Sequence, residues 1–152
     1  MLSTKKITVF LGVGLFLDQV TKYFFNAILT LYTPVTVVPG ILQFQLVYNS
    51  GAAYGMFANQ RFMLLMVSLS VIFGIVIFWN YLSNSLKVAF LWIFAGAVGN
   101  FLDRFILGFV IDFIDIHIIP VFNFADIFIN IGIILYIKCV LQDEFFTPQN
   151  SR

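Results

Sequence analysis

Four long apolar stretches constrain this chain more than any other feature. They cover about residues 7–25, 62–82, 86–105 and 125–142, and each approaches the roughly 20 residues that cross the hydrocarbon core as a helix. Of the 152 residues, 61% are hydrophobic and 10% are charged, whereas soluble domains average about 25% charged residues. The surplus apolar surface must face lipid. The sequence therefore predicts an all-α integral membrane protein with four transmembrane helices, forming a single membrane domain over residues 1–152.

Two connections between these helices are long, at about residues 26–61 and 106–124. In the first, β-branched residues and period-2 alternation around Leu42–Tyr48 predict short strands, with turns at Pro39 and Gly40. The second carries Asp112, which we expect in a loop. The short Ser83–Ser85 turn predicts a tight hairpin of the second and third helices.

The placement of basic residues predicts the orientation in the membrane. Five basic residues lie on one side of the bilayer: Lys5, Lys6, Lys87, Lys138 and Arg152. Three basic residues, Lys22, Arg61 and Arg104, lie near the other side. By the positive-inside rule the first side is cytoplasmic, so both termini are predicted in the cytoplasm and both long loops outside it. The formal net charge of +1 gives no indication of a nucleic-acid partner.

Cysteine and histidine are each present once, as Cys139 and His117. A single cysteine excludes an intramolecular disulfide and a CxxC metal pair, and a single histidine excludes a His-rich metal site. We therefore expect no metal and no cofactor.

Acidic residues are clustered near one membrane face. Five of the seven lie in or beside the extracytoplasmic ends of the predicted helices: Asp18, Asp103, Asp112, Asp115 and Asp126. Ionisable groups at membrane depth are costly and are usually functional. Two nearby carboxylates that share one proton can activate water, because the ionised one takes a proton while the protonated one polarises a carbonyl group.

Two asparagines accompany these acids at helical spacing. Asn100 and Asp103 are three residues apart and share a helix face, and Asn123 and Asp126 have the same spacing. Structural roles remain open for the same residues. Asn123 or Asp126 could cap the fourth helix, and Asp103 could form an interfacial ion pair with Arg104.

Other motifs favour structural roles. Asp18 and Lys22 share a helix face and predict an intrahelical pair near the interface or a cap for an adjacent loop. Gly96 and Gly99 predict close helix packing. The small residues of Asn49–Ala53 would allow a ligand or peptide to approach the backbone closely, or would form a tight turn.

Two other classes of function remain open on residue patterns alone. A proton-coupled transporter also buries acids, but such proteins place them near the bilayer midplane, often in repeated halves, and this chain has no repeat. A non-catalytic assembly subunit would explain the small residues but not the cluster of Asp and Asn.

Taken in chain order, five segments resemble the lipoprotein signal peptidases (signal peptidase II). They are LDQVTK at Leu17–Lys22, YNSGAA at Tyr48–Ala53, GAVGNFLDR at Gly96–Arg104, VIDF at Val110–Phe113 and FNFAD at Phe122–Asp126. The order and spacing of five motifs make the resemblance specific over nearly the whole chain.

The resemblance implies a bacterial inner-membrane aspartyl endopeptidase. Such an enzyme cleaves the signal peptide of a prolipoprotein before a diacylglyceryl-modified cysteine, with Asp112 and Asp126 as the catalytic pair. Residues expected to support the pair or bind substrate are Asn49, Gly51, Asn100, Asp103, Arg104 and Asn123, and those expected to be structural are Asp18 and Lys22. The first long loop would form a small extracytoplasmic β-sheet and lid that cradle the substrate. Expected partners are prolipoprotein signal peptides and membrane lipid, and the enzyme is expected to be monomeric.

Two features depart from the family pattern. The connection between Asp112 and Asp126 is short, and it contains Asp115 and His117, which belong to none of the motifs. Ile127 follows Asp126 where the family often has a small polar residue. Neither departure removes a motif residue.

Overall fold

Four apolar helices and a small antiparallel sheet make up the fold, which confirms the predicted class. The computed structural model describes residues 3–52 and 56–146, with side chains to residue 142. The helices are α1 (Thr4–Ile28), α2 (Arg61–Phe78), α3 (Asn84–Ile106) and α4 (Phe124–Phe146), and the strands are β1 (Val35–Val38), β2 (Leu42–Asn49) and β3 (Val110–Asp115). All four helices are long and apolar enough to span a membrane.

The helix ends differ from the predicted limits because capping groups define them. The Ser3 hydroxyl accepts a hydrogen bond from the Lys6 N–H at 3.4 Å, so α1 begins three residues earlier than predicted. Helix α2 ends at Phe78 and tightens into a 3₁₀ turn over Trp79–Tyr81. Ser83 then caps α3, accepting from the Leu86 N–H at 3.3 Å.

Helix α3 is the centre of the bundle, and α2 lies at its edge. Eight residues of α3 are buried, whereas Leu64 and Ile75 are the buried residues of α2. Close packing of α3 on α4 requires Gly96, since a Cβ there would overlap the backbone carbonyl of Ala125. The small-residue patch therefore brings α3 and the start of α4 into backbone contact.

The prediction that Asp112 lies in a loop was wrong. Residues 110–115 form β3, which pairs antiparallel with β2 in a sheet of order β1-β2-β3. Asp112 lies opposite Val47. The strand forms because β2 offers an unpaired edge, and because Phe113 is fully buried on the face opposite Asp112.

Aromatic contacts hold the sheet against α1. The Phe113 ring stacks on Phe25 near the end of α1, with ring centroids 4.3 Å apart, and Phe44 of β2 lies 4.5 Å from the same ring. Tyr48 of β2 stacks on Phe109, just before β3, with ring centroids 4.3 Å apart. These contacts fix the height of β3 relative to the helix bundle, and hence the position of Asp112.

Candidate active site

The two aspartates expected to be catalytic come from different elements and line one cavity. Asp112 projects from β3, and Asp126 lies in the first turn of α4. Both line a cavity of about 320 Å³. Its polar lining consists of Asn49, Asn100, Arg104, Asp112, Asp126 and Asn130, and its apolar lining includes Ile119, Pro120, Val121, Phe122 and Ile129.

A reciprocal cap at the start of α4 positions Asp126. The Asp126 N–H donates to Asn123 Oδ1 at 3.0 Å, and the Asn123 N–H donates to Asp126 Oδ2 at 3.2 Å. The capping role left open by the sequence is therefore present. It also orients the Asn123 amide, whose Nδ2 donates to Asp112 Oδ1 at 2.6 Å. One cap thus connects both carboxyl groups.

Two further asparagines complete the hydrogen bonding of the pair. Asn49 Nδ2 donates to Asp112 Oδ2 at 2.9 Å, and Asn100 Nδ2 donates to Asp126 Oδ1 at 2.8 Å. With the Asn123 bonds, all four carboxyl oxygens of Asp112 and Asp126 have an N–H donor. The pair is held by neutral groups from β2, from α3 and from Asn123 just before α4, so its geometry is set before a substrate arrives.

The electrostatic environment favours a shared proton. Burial, followed by the nearby charge of Asp126, raises the pKa of Asp112 to about 7, against the amide hydrogen bonds and the charge of Lys22. Asp112 is 2% exposed. Near neutral pH one carboxyl group of the pair can therefore hold a proton while the other is ionised.

Arg104 lies at the same cavity, and its partner differs from the one considered in the sequence. Its Nη2 donates to the Gly51 carbonyl at 3.0 Å. The ion pair of Asp103 with Arg104 was wrong, since the cation at Asp103 is Lys22, at 3.0 Å. Arg104 Nε is buried and has no hydrogen-bond partner among the residues that the structure describes. It is available to a group that enters the cavity.

An ion cluster of Asp18, Lys22 and Asp103 lies behind the cavity. Lys22 Nζ is 2.8 Å from Asp18 Oδ2, which confirms the predicted intrahelical pair. The pair is more deeply buried than an interfacial one, at 0% and 1% exposure. Asp18 Oδ1 also accepts from the Ala125 N–H at 2.9 Å, so a side chain of α1 caps the first turn of α4. The close approach of α1 depends on Gly99, where a Cβ would fall against the Asp18 carboxylate.

Sequence reasoning missed Gln19. Its Nε2 lies 3.0 Å from Asp18 Oδ2, 3.0 Å from Asp103 Oδ1 and 3.3 Å from the Gly99 carbonyl oxygen. A signal was present, because Gln19 is a polar residue directly beside Asp18, after a run of apolar residues and glycines in α1. It supplies donors to two buried carboxylates that share one lysine.

Asp115 and His117 lie apart from the pair. Asp115 Oδ2 accepts from Gln43 Nε2 at 2.6 Å, and its Oδ1 accepts from the His117 N–H at 2.7 Å. Burial opposes ionisation, but these bonds outweigh it and lower the pKa of Asp115. Neither residue lines the cavity. They stabilise the end of β3 and the turn after it, where His117 has φ +65°.

Known proteins resemble this chain over most of its length. The family model of signal peptidase (SPase) II matches residues 10–142. The lipoprotein signal peptidase of Microcystis aeruginosa is 41% identical over 92% of this chain and 90% of its own length. That of Pseudomonas aeruginosa is 36% identical over 78% of each chain.

Solved structures show the same fold. A bacterial membrane enzyme determined by the in meso method at 2.3 Å has a TM-score of 0.90 and 29% identity, over 98% of this chain and 95% of that one. A second, at 1.9 Å, has a TM-score of 0.81 and 30% identity, over 92% and 95%. The fold, the family match and the high coverage agree, and the chain therefore belongs to the signal peptidase II family of aspartic proteases.

Proposed function

We propose that this enzyme removes signal peptides from prolipoproteins by cleaving before a diacylglyceryl-modified cysteine, with Asp112 and Asp126 as a catalytic dyad. One observation carries the proposal. Two carboxyl groups from separate elements, each held by asparagine amides, face one cavity beside an arginine. Membership of a protease family argues against the transporter and the assembly subunit.

The two carboxyl groups of the dyad activate water together, because one accepts a proton while the other donates one. The ionised carboxylate of Asp126 accepts a proton from water as the water oxygen attacks the scissile carbonyl carbon. Asp112, whose pKa is raised to about 7, donates its proton to the carbonyl oxygen. When the tetrahedral intermediate collapses, Asp126 returns its proton to the leaving amine, the C–N bond breaks, and Asp112 recovers its own. Because the two groups share one proton, the same steps run with the roles exchanged when Asp126 holds it.

Arg104, Asn49 and Gly51 hold the peptide in this scheme. Arg104 Nη2 is already engaged by the Gly51 carbonyl, which fixes the guanidinium, and Nε is left for a peptide carbonyl of the substrate. Asn49 Oδ1 accepts from the Gly51 N–H at 2.9 Å, so the turn and the dyad are held by one side chain. The substrate backbone would thus be positioned against the two carboxyl groups.

The apolar wall of the cavity suits a substrate that bears lipid. The cavity is lined by Ile119, Pro120 and Val121 of the segment after β3 and by Ile129 of α4. A diacylglyceryl group and the apolar core of a signal peptide can both remain in contact with apolar side chains and with bilayer lipid there. We expect the sheet β1-β2-β3 to cradle the substrate, as the family resemblance implies.

The test is a cleavage assay with matched variants in one detergent. We expect Asp112→Asn and Asp126→Asn each to abolish cleavage of a diacylglyceryl-modified prolipoprotein while remaining folded. Asp115→Asn is the control, because it removes a carboxylate from the same strand that does not line the cavity. We expect it to retain activity. Substantial turnover by either folded dyad variant would refute the dyad, and equal cleavage of unmodified prolipoprotein would refute the lipid requirement.

We propose a multi-pass orientation with both termini in the cytoplasm and the cavity near the extracytoplasmic face. It rests on the distribution of lysine and arginine. Topology reporters fused after Leu31 and Ile116 should report the extracytoplasmic side, and one after Ser83 the cytoplasm. A cytoplasmic signal at Leu31 or Ile116 would overturn it. The proposed enzyme acts as a monomer and needs no metal, so cleavage should withstand a chelator and scale linearly with enzyme concentration.

A further inference from the structure

Lys22 is a fully buried cation whose hydrogen bonds reach beyond the ion cluster. An ammonium group has three N–H donors and no acceptor. The three acceptors around Lys22 Nζ are Asp18 Oδ2 at 2.8 Å, Asp103 Oδ2 at 3.0 Å and Asn100 Oδ1 at 3.1 Å. The third contact is to a residue that binds the dyad.

The contact with Lys22 determines which way the Asn100 amide faces. Because Lys22 can only donate, the Asn100 oxygen must point toward it, and the Asn100 Nδ2 must point the other way. That nitrogen donates to Asp126 Oδ1 at 2.8 Å. Asn100 Oδ1 also accepts from Asn123 Nδ2 at 3.2 Å, and Asn123 donates to Asp112. A single buried cation therefore sets the direction of an amide network that ends on both catalytic carboxyl groups.

We propose that Lys22 is a positioning residue of the dyad, which fixes the Asn100 amide toward Asp126 and sets the pH range in which the dyad works. The inference rests on the proposed function of Asp112 and Asp126. It assigns Lys22 a role in the reaction, beyond the structural one that the sequence suggested.

In addition to orienting the Asn100 amide, Lys22 acts on the dyad through its charge. The positive charge of Lys22 lowers the pKa of Asp112 and so opposes the increase caused by burial. The charged groups around the network come from all four helices and from β3. They are Asp18 and Lys22 of α1, Arg61 of α2, Asp103 and Arg104 of α3, Asp112 of β3 and Asp126 of α4. Strand β2 contributes the uncharged Asn49. Lys22 is the cation bonded directly to an asparagine of the network.

The variant Lys22→Met alone is a poor test, because it leaves Asp18 and Asp103 buried without their cation and could unfold the protein. A matched pair reduces this problem, because a neutral amide at position 18 needs no cation and Asp103 keeps the donors Gln19 Nε2 and Ile111 N–H. Asp18→Asn keeps Lys22, and Asp18→Asn/Lys22→Met removes it together with one negative charge. Both variants carry the same change at the α4 cap, so the comparison isolates the lysine.

The readout is the dependence of kcat/KM on pH for these two variants, with melting temperature as the check of folding. We expect the bell-shaped profile of Asp18→Asn/Lys22→Met to move to higher pH by on the order of one unit relative to Asp18→Asn. The direction follows because loss of a nearby positive charge makes Asp112 harder to ionise. A purely structural lysine would lower the profile without moving it along the pH axis.

Each outcome separates this inference from the proposed function. If Asp112→Asn and Asp126→Asn are inactive but the pH profiles of Asp18→Asn and Asp18→Asn/Lys22→Met superimpose, the role of Lys22 is overturned and the dyad stands. If either dyad variant cleaves substrate, both the dyad and its control by Lys22 are overturned. A shift to higher pH, with dyad variants inactive, supports both.

Discussion

Two pairs of buried aspartates in this protein differ in the groups that surround them. Asp18 and Asp103 share the ammonium of Lys22, at 2.8 and 3.0 Å. Asp112 and Asp126 are bound by amide N–H groups, and they face a cavity. A cation within the first pair stabilises both negative charges, whereas neutral donors around the second leave like charges to compete for a proton. We therefore expect the same residue type to be structural in one pair and reactive in the other.

The largest expected effect is on the dyad as a unit. Asp112→Asn and Asp126→Asn should each reduce kcat/KM by at least about 10³-fold, and the double variant should be no slower than the slower single variant. The reason is that either loss alone removes the paired proton transfers. Turnover of the three folded variants under one set of conditions checks this. If the fold-reductions in kcat/KM of the two single variants multiplied in the double variant, the two aspartates would act independently.

The next effect concerns how stability depends on pH. The pKa of Asp112 in the fold, about 7, lies above its ordinary value of 3.8, so the native state holds this proton more tightly than the unfolded chain does. Its contribution to stability is fully present below about pH 4 and is lost as the pH rises through about 7. The free energy of unfolding should fall by a few kcal/mol over this window.

Thermal unfolding of wild type and Asp112→Asn in one detergent measures that contribution. The variant carries a neutral group at every pH, so its melting temperature should vary less between pH 4 and 7. Equal slopes in the two proteins would show that Asp112 does not hold a proton in the folded state near neutral pH.

A smaller effect is expected in the ion cluster, at Asp103. This carboxylate forms an ion pair with Lys22, and it accepts from Gln19 Nε2 at 3.0 Å and from the Ile111 N–H at 3.2 Å. In Asp103→Asn, the new side-chain NH₂ group faces one of these N–H donors, and a hydrogen bond is lost. The free energy of unfolding should therefore fall by about 1–3 kcal/mol. Lys22 keeps Asp18, and measurable cleavage should remain. A folded Asp103→Asn protein without activity, beside an active Asp112→Asn protein, would reverse the roles of the two pairs.

The smallest effect tests the packing that brings the ion cluster together. Gly99→Ala would place a methyl group against the Asp18 carboxylate, and should cost about 1–2 kcal/mol of stability. Gly74→Ala is the matched control on α2, since a Cβ there has no atom within 4 Å. We expect its melting temperature to stay the same or rise. Equal destabilisation by both substitutions would argue against close packing at Gly99 as the cause.

Local pattern was sufficient for some features of the site and insufficient for others. The small residues Gly96 and Gly99 predicted close packing, which the structure confirms. The spacing of Asn123 and Asp126 left open a cap at α4, and that cap is present. Each feature concerns residues within one helix turn, where spacing alone determines which groups can meet.

The strand β3 and the partner of Asp103 could not be predicted in the same way. Six residues with alternating side chains form a strand only when an edge such as that of β2 is available to pair with them. For Asp103, the adjacent Arg104 was the obvious partner by sequence. However, the guanidinium lies at the cavity and binds Gly51, while Lys22 reaches Asp103 from another helix.

The sequence by itself determined that this chain spans a membrane with four helices and belongs with the lipoprotein signal peptidases. Hydrophobic length and short motifs are properties of consecutive residues, and they need no knowledge of packing. Only the tertiary structure decided which donor meets which carboxyl group. Lys22 and Asn100 are 78 residues apart in sequence, and Asn49 and Asp112 are 63 apart. A hydrogen bond tolerates only a few tenths of an ångström in distance, so its partner depends on the depth and rotation at which whole helices and strands pack.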